Sequence, residues 1–326
     1  MEDIVMLQCR RTRGKGSFRR KELLVVAAVF AVVFSCGSVY AKVVAQKTFP
    51  SPEKAVEAMV DAVKADDIQS LLAIFGPGSR HIILSGDPVE DKQGREWFIK
   101  HYAEKNRLEE ASGKVTLHLG SGEWPFPIPI VKAGNGWRFD TAAGKQEILA
   151  RRVGRNELNA IQVCLAYVDA QREYAMKKAR QGEGLLEYAQ KFISTPGKQD
   201  GLYWEIGEGQ EQSPIGSMFA AARDQGYRAK PLGEEPEPYH GYYYRILTAQ
   251  GKNAPGGAQD YVVGGKMIGG FALIAYPAHY RASGVMTFIV NHDGVVYQKK
   301  LGKRTKKAAQ AVKAFDPDKT WTRAPE

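Results

Sequence analysis

Cysteine is scarce in this chain: Cys9, Cys36 and Cys164 are the three among 326 residues. Removal of the amino terminus after Ala41, argued below, leaves Cys164 alone, which excludes an intramolecular disulfide and any cysteine-built zinc site. Cys164 stands among Ile161, Val163 and Leu165 on an expected helix, so it reads as a buried inert thiol and not as a nucleophile. Long apolar runs are missing as well. Leu23 to Phe34 is unbroken but falls short of the roughly 20 residues that cross a bilayer. The chain contains no His-Glu-x-x-His, no Cys-x-x-Cys and no Gly-x-Ser-x-Gly. Gly264-Gly265-Lys266-Met267 has neither the spacing nor the hydroxyl of a phosphate loop and reads as a turn between strands. No cofactor is expected.

Hydrophobic residues make up 44% and charged residues 25%, which is the composition of a globular protein. The net charge is +10, of which +4 falls on residues 1–41 and +6 on the rest. That first segment reads as an export signal. Seven basic residues from Arg10 to Lys21 precede the short apolar run, and Val39-Tyr40-Ala41 supplies a small-residue cleavage site. A cut after Val43-Val44-Ala45 is the neighbouring option. Lipidation of Cys36 within Val33-Phe34-Ser35-Cys36 and an uncleaved anchor helix are the other readings of the same stretch. The protein is thus expected in the periplasm or cell envelope, lipid-anchored if Cys36 is the new terminus.

The remainder reads as α+β, in two units that each pack helices on a small antiparallel sheet: residues 46–150 and 151–326. In the first, Ser51 with Pro52 starts one helix and Asp67 starts another, which Gly76-Pro77-Gly78 ends. A third helix is expected near Gln93 to Lys105, then a strand at Val115 to Leu119 and a turn at Gly134-Asn135-Gly136. In the second, Asn156 is expected to cap the longest helix, with Leu158, Ile161, Leu165, Val168 and Ala175 as its apolar stripe. Strands follow at Tyr242 to Ala249, Phe271 to Tyr276, Val285 to Val290 and Val295 to Leu301. His292-Asp293-Gly294 is the hairpin turn between the last two.

Three resemblances add to this reading. Phe49-Pro50-Ser51-Pro52-Glu53, Asp66-Asp67 and Leu71 to Phe75 resemble the opening of the cystatin-like cone fold shared by many small ligand-binding and isomerase domains. The long helix with Gly241-Tyr242-Tyr243-Tyr244 and Gly284 to Phe288 is similar to a type IV pilin head. About 120 residues separate the apolar run from Asn156, however, which argues against filament assembly by the pilin route. Gly136 to Asp140, Arg151 to Leu158, Tyr239 to Arg245 and Ser283 to Phe288 resemble a family of bacterial secreted proteins known only as a domain of unknown function, DUF2950. That last resemblance implies an envelope protein and carries no activity to transfer.

Two surfaces are candidates for binding. Tyr242, Tyr244 and Arg245, in the run from Tyr239, offer flat faces for stacking, although alternation on a strand must send one side of the run into the core. Lys299, Lys300, Lys303, Arg304, Lys306 and Lys307 place six cations in nine residues, a solvated hairpin end or a site for an anionic cell-wall polymer or lipid surface. Export argues against nucleic acid. Thr305 is expected to cap a short helix with Ala308, Val312 and Phe315 inward. Glutamates 205, 208, 211, 234, 235 and 237 can be read as paired carboxylates or as solvated loops. Two functions therefore stand. One is a non-catalytic scaffold or binding module; the other is a periplasmic enzyme or small-ligand-binding protein with a pocket in the amino-terminal unit, using His81, His101 or His118 beside an acid.

Overall fold

A computed structural model describes residues 45–207, 211–228 and 236–325. The expected signal segment lies outside them, with its cut after Ala41, the lipid site Cys36, and Cys9; so do Glu208, Glu234 and Glu235. Helix α1 (Pro52–Lys64) starts where Ser51 accepts a hydrogen bond from the Lys54 N–H, with proline at the first position. Asp67 caps α2 (Ile68–Phe75) in the same way, and Gly76 ends it. A short α3 (Arg80–Ile83) leads to α4 (Pro88–Glu104), capped by Asp87.

The first sheet follows. Its strands are β1 (Asn106–Ala111), β2 (Lys114–Leu119), β3 (Trp124–Pro125), β4 (Ile130–Ala133) and β5 (Gly136–Phe139), in the antiparallel order β1-β2-β4-β5 with β3 also on β2. Along β2, Val115, Leu117 and Leu119 are buried while Thr116 and His118 face the other way. The buried row packs with Met59, Val60, Leu71, Ile74, Phe75 and Phe139 into one hydrophobic core. One face of this sheet is therefore core and the other is wet.

Helix α5 (Thr141–Lys178) spans 38 residues, roughly 57 Å at 1.5 Å each, and ends in a π-turn at Ala179–Glu183. It differs from expectation in two respects. Asp140, not Asn156, is its cap, accepting from the Ala143 N–H. Nothing between Thr141 and Asn156 breaks a helix, since Gly144 and Gly154 are tolerated there. Asn156 is instead fully buried mid-helix, its amide donating to Glu90 Oε2 and to the Ser283 carbonyl, each at 3.1 Å. The residue 150/151 boundary thus falls inside a continuous helix. The apolar stripe is also rotated. Leu158 and Leu165 are 60% and 36% exposed, while Ala160, Ile161, Cys164, Tyr167, Val168 and Tyr174 turn inward. Small residues at 160 and 164 let the helix approach the second sheet closely. Burial pushes the Cys164 thiol up to about 12.

Beyond α6 (Gly216–Asp224) come β6 (Tyr242–Leu247), the short pair β7 (Ala249–Gln250) and β8 (Gln259–Asp260), and the pair β9 (Val262–Val263) and β10 (Lys266–Met267). Gly264 and Gly265, both at positive φ, form the tight turn of the latter pair, as their composition predicts. Strands β11 (Ala272–Pro277), β12 (Thr287–Asn291) and β13 (Tyr297–Lys299) follow, then α7 (Thr305–Ala311) and β14 (Thr322–Arg323). The second sheet runs β14-β13-β12-β11-β6, all antiparallel, with Ile274 opposite both Ile289 and Arg245. All of β11 and β12 is buried, because α5 packs against both strands and α7 packs against β11. Thr305 does not cap α7 with its side chain; buried, it donates to the Gly302 carbonyl. Val312 and Phe315 lie past the end of the helix at Ala311, and Phe315 reaches the core from extended backbone.

The described residues form one compact unit with two hydrophobic cores, one per half. Among the described residues no helix is long and apolar enough to cross a membrane.

Candidate ligand-binding cavities

The larger cavity, of about 550 Å³, opens in the carboxyl-terminal half between α6, the start of β6 and the segment from Phe192 to Glu205. Aromatic rings supply much of its wall. Tyr203 and Phe219 stack at 4.3 Å and 8°, and Tyr227 meets Tyr239 edge-on at 4.9 Å. Tyr243 and Tyr244 complete the wall. Arg223 donates to the Tyr203 hydroxyl at 2.7 Å, and Tyr244 donates to the Tyr239 carbonyl at 3.4 Å. Burial holds the Tyr244 phenol well above its ordinary value, so it stays neutral and can donate. The charged residues of the lining, Glu205, Glu237, Arg223 and Arg228, are of both signs, and all four are exposed or partly exposed at the rim.

Tyr227 connects this wall to a buried polar knot at the start of α4. Its hydroxyl donates to Asp87 Oδ2 at 2.9 Å, and the Gly241 N–H donates to the same oxygen at 2.9 Å. Asp87 Oδ1 caps the helix by accepting from the N–H groups of Val89 and Glu90. Burial pushes the Asp87 carboxyl up even against these donors. Glu90, one turn on, accepts from Asn156 and faces His240 Nδ1 at 3.6 Å. Burial opposes ionisation of Glu90 too, but His240, Arg155 and Asn156 outweigh it and hold its carboxyl below the usual value.

The second cavity, of about 260 Å³, lies in the amino-terminal half between α1, α2, α4, the Trp124 to Ile128 segment and the first turns of α5. Met59, Leu71, Phe75, Phe98, Phe126 and Ile128 make its apolar interior. Glu90, Asp91, Arg95, Arg152 and Arg155 make its polar side. Asp91 accepts the Ser85 N–H with both oxygens at 3.0 Å, and burial raises its carboxyl while Ser85 and the arginines pull the other way. Arg152 spends both terminal nitrogens on the carbonyls of His81 and Ile82, each at 2.6 Å.

The histidines expected beside an acid do not converge. His81 is exposed on α3; His101 stacks on Trp97 at 4.0 Å with Nδ1 against the Trp97 carbonyl; His118 lies on the outer face of the first sheet, 3.4 Å from Glu109. None of the three lines either cavity. Among the predicted aromatics, Tyr244 lines the larger cavity, whereas Tyr242 is fully buried and donates to the Met286 carbonyl, so its ring belongs to the core. Arg245 donates to the carbonyls of Ala309 and Val312 at the end of α7, a structural duty. In the basic cluster, Lys300, Lys303, Arg304 and Lys307 are exposed, while Lys299 lies over Trp321 at 5.5 Å and exposed Lys306 over Tyr243 at 5.4 Å. Glu205 and Glu237 do share a cavity, though at its open rim; Glu211 pairs with Lys177. Sequence reasoning missed Asp87, Tyr227, Arg95 and Arg155. The Arg151 to Arg155 run is basic and contains a glycine beside the expected 150/151 boundary, and only a helix starting at Thr141 puts Arg152 and Arg155 on one face, three residues apart.

Comparison with known families finds that the one described as Protein of unknown function (DUF2950) matches residues 46–324. No curated protein and no solved structure matches the chain.

Proposed function

Given that the chain belongs to the Protein of unknown function (DUF2950) family, whose description carries no activity, we propose that it is an exported cell-envelope protein acting as a non-catalytic binding module. The observation that carries this is the aromatic-walled cavity of about 550 Å³, a volume suited to a small organic ligand. The aromatic lining favours a flat, partly apolar ligand such as a wall sugar, and rim charges of both signs favour a neutral or zwitterionic one. The scatter of the histidines supports binding over acid-base catalysis. Export is supported by the basic and apolar order of residues 10–34 and the small residues before Ala41; an intact Met1 in the mass of the mature protein would remove that part of the proposal. The cone-like and pilin-like characters of the halves belong to the same proposal, supported by element order alone. For the cavity, calorimetry with soluble peptidoglycan fragments and chito-oligosaccharides is the test. Binding should weaken about tenfold in Tyr203→Ala, the loss of one stacking face. No binding by any of these sugars, or equal binding by the variant, defeats the sugar assignment.

A second contact is favoured by the exposed cations Lys300, Lys303, Arg304 and Lys307, which make no ion pair among the described residues. Together with Lys306 they form a surface for anionic wall polymer or lipid, attractive in a salt-dependent way. Sedimentation with anionic vesicles and with cell wall should fall when Lys303, Arg304 and Lys307 are changed to Gln. Equal binding by parent and variant at low and moderate salt would leave the cluster a solvated face.

A further inference from the structure

In the amino-terminal cavity the carboxylates are satisfied within the fold, whereas one buried guanidinium is not. Asp91 takes the Ser85 N–H, and Glu90 takes the Asn156 amide and faces His240. Arg95 is held at Nε by Asp66 at 2.7 Å, yet its Nη1 is buried with no hydrogen-bond partner. A guanidinium N–H left bare in the interior is costly, and natural proteins rarely leave one so. Arg155, also on the lining, is exposed and makes no hydrogen bond or ion pair with any described residue, its charge acting on Glu90 at longer range. One bare buried guanidinium N–H and a second, exposed guanidinium thus sit at one side of an apolar, aromatic-walled space.

The mouth is also kept free of side chains. Gly94 stands in the interior of α4 on the cavity lining, and a Cβ placed there would meet nothing within 4 Å. Glycine in a helix interior costs roughly 0.5–1 kcal/mol against alanine. No close packing accounts for it here, so its evident effect is open access between Arg95 and the apolar interior.

We propose that this cavity binds a small amphipathic carboxylate, its head accepting from Arg95 and Arg155 and its apolar body lying among Phe98, Phe126 and Ile128. A cavity of about 150 Å³ holds a benzene ring, so about 260 Å³ holds a body of roughly ten heavy atoms, the size of a medium-chain fatty acid or an arylpropanoate. A guanidinium matches a carboxylate in a bidentate fork, and the partly buried setting strengthens the bond. This goes beyond the sugar assignment, concerns a different cavity, and stands or falls independently of it.

Octanoate and 1-octanol, equal in chain length and different in head group, provide the test, followed by the fluorescence of Trp97 and Trp124 on the cavity wall. Octanoate should bind the intact protein roughly tenfold more tightly than octanol, the preference of one charged hydrogen bond. Arg95→Gln combined with Arg155→Gln should abolish that preference while leaving octanol binding unchanged. Gly94→Leu, which places a side chain in the mouth and raises helix propensity, should fold at least as stably as the parent, shown by its melting temperature, and lose both ligands. The proposal is overturned if neither ligand perturbs the parent, if the alcohol binds as tightly as the acid, if the acid keeps its advantage without the two arginines, or if a folded Gly94→Leu variant still binds.

Discussion

The two halves use the same ingredients, helices on an antiparallel sheet, and reach different interiors. Strand β11 in the carboxyl-terminal half is buried at all six positions, covered by α5 on one face and α7 on the other. Strand β2 in the amino-terminal half alternates strictly, with Val115, Leu117 and Leu119 inward and a wet outer face. A sheet covered twice is packed to a filled core; a sheet covered once retains a cavity beside its helices. The contrast shows where ligand space can exist in this chain. In the carboxyl-terminal half it lies outside the sheet, between α6 and the aromatic edge of β6, whereas in the amino-terminal half it lies inside the core itself.

The two interiors should differ most in what a large-to-small substitution costs. Phe288, fully buried on β12, should cost ~3–5 kcal/mol when changed to Ala, because the filled core cannot collapse onto the void. Phe126, half-buried beside an existing cavity, should cost at least ~1 kcal/mol less. Urea titration at unchanged slope measures both, and equal costs would mean the two interiors are equally packed.

Where the halves share α5, packing should outweigh local preference. An alanine at Gly144 would place its Cβ 2.4 Å from the Pro127 carbonyl oxygen and 2.7 Å from Ile128, both backbone or core neighbours. Gly144→Ala is therefore expected to destabilise by ~1–3 kcal/mol despite the ~1 kcal/mol that helix propensity offers it. A stabilised variant would show that α5 can shift against the first sheet.

At the polar knot the two halves touch through Tyr227 and Asp87. Tyr227→Phe keeps the ring in the larger cavity and removes one donor from the carboxylate, at an expected cost of ~1 kcal/mol by thermal melting. No change would mean that a water replaces the phenol.

The smallest effect is expected at Asp200, within the segment that flanks the larger cavity. It accepts from Lys191 Nζ at 2.8 Å and from the Thr195 N–H at 2.7 Å. Although burial opposes ionisation, these donors hold its carboxyl well below the usual carboxylate range. A lowered folded-state pKa stabilises the fold above the unfolded-state value, and that stability is lost as the pH falls through the folded value. With the side chain 36% exposed and screened by water, Asp200→Asn should cost no more than ~1 kcal/mol at neutral pH. The gap between parent and variant should narrow on acidification below the ordinary carboxylate range; a gap constant with pH would show that Asp200 works through shape alone.

Much of the architecture was legible because it is local. Ser51-Pro52 and Asp67 start helices through a side chain and its own next few residues, and Gly264-Gly265 and Asp293-Gly294 close hairpins through backbone angles that glycine alone adopts freely. The alternation of β2 is also local, since one wet face leaves its imprint on every second residue. The six buried residues of β11 carry no such imprint.

The remaining features depend on residues distant in the chain. Asn156 has the form of a helix cap, and becomes a mid-helix anchor because Glu90 and Ser283 arrive to take its amide. Tyr242 and Tyr244 look alike in sequence, but one is fully buried in the core and the other walls a cavity. The amino acids thus dictated the helices, turns and strands through interactions spanning a few residues. Which arginines face an empty space, which histidines stay apart and which tyrosines reach a ligand cavity depended on contacts between segments some 60 to 150 residues apart, such as Asn156 to Glu90 and Gly241 to Asp87, which exist only once the chain has folded.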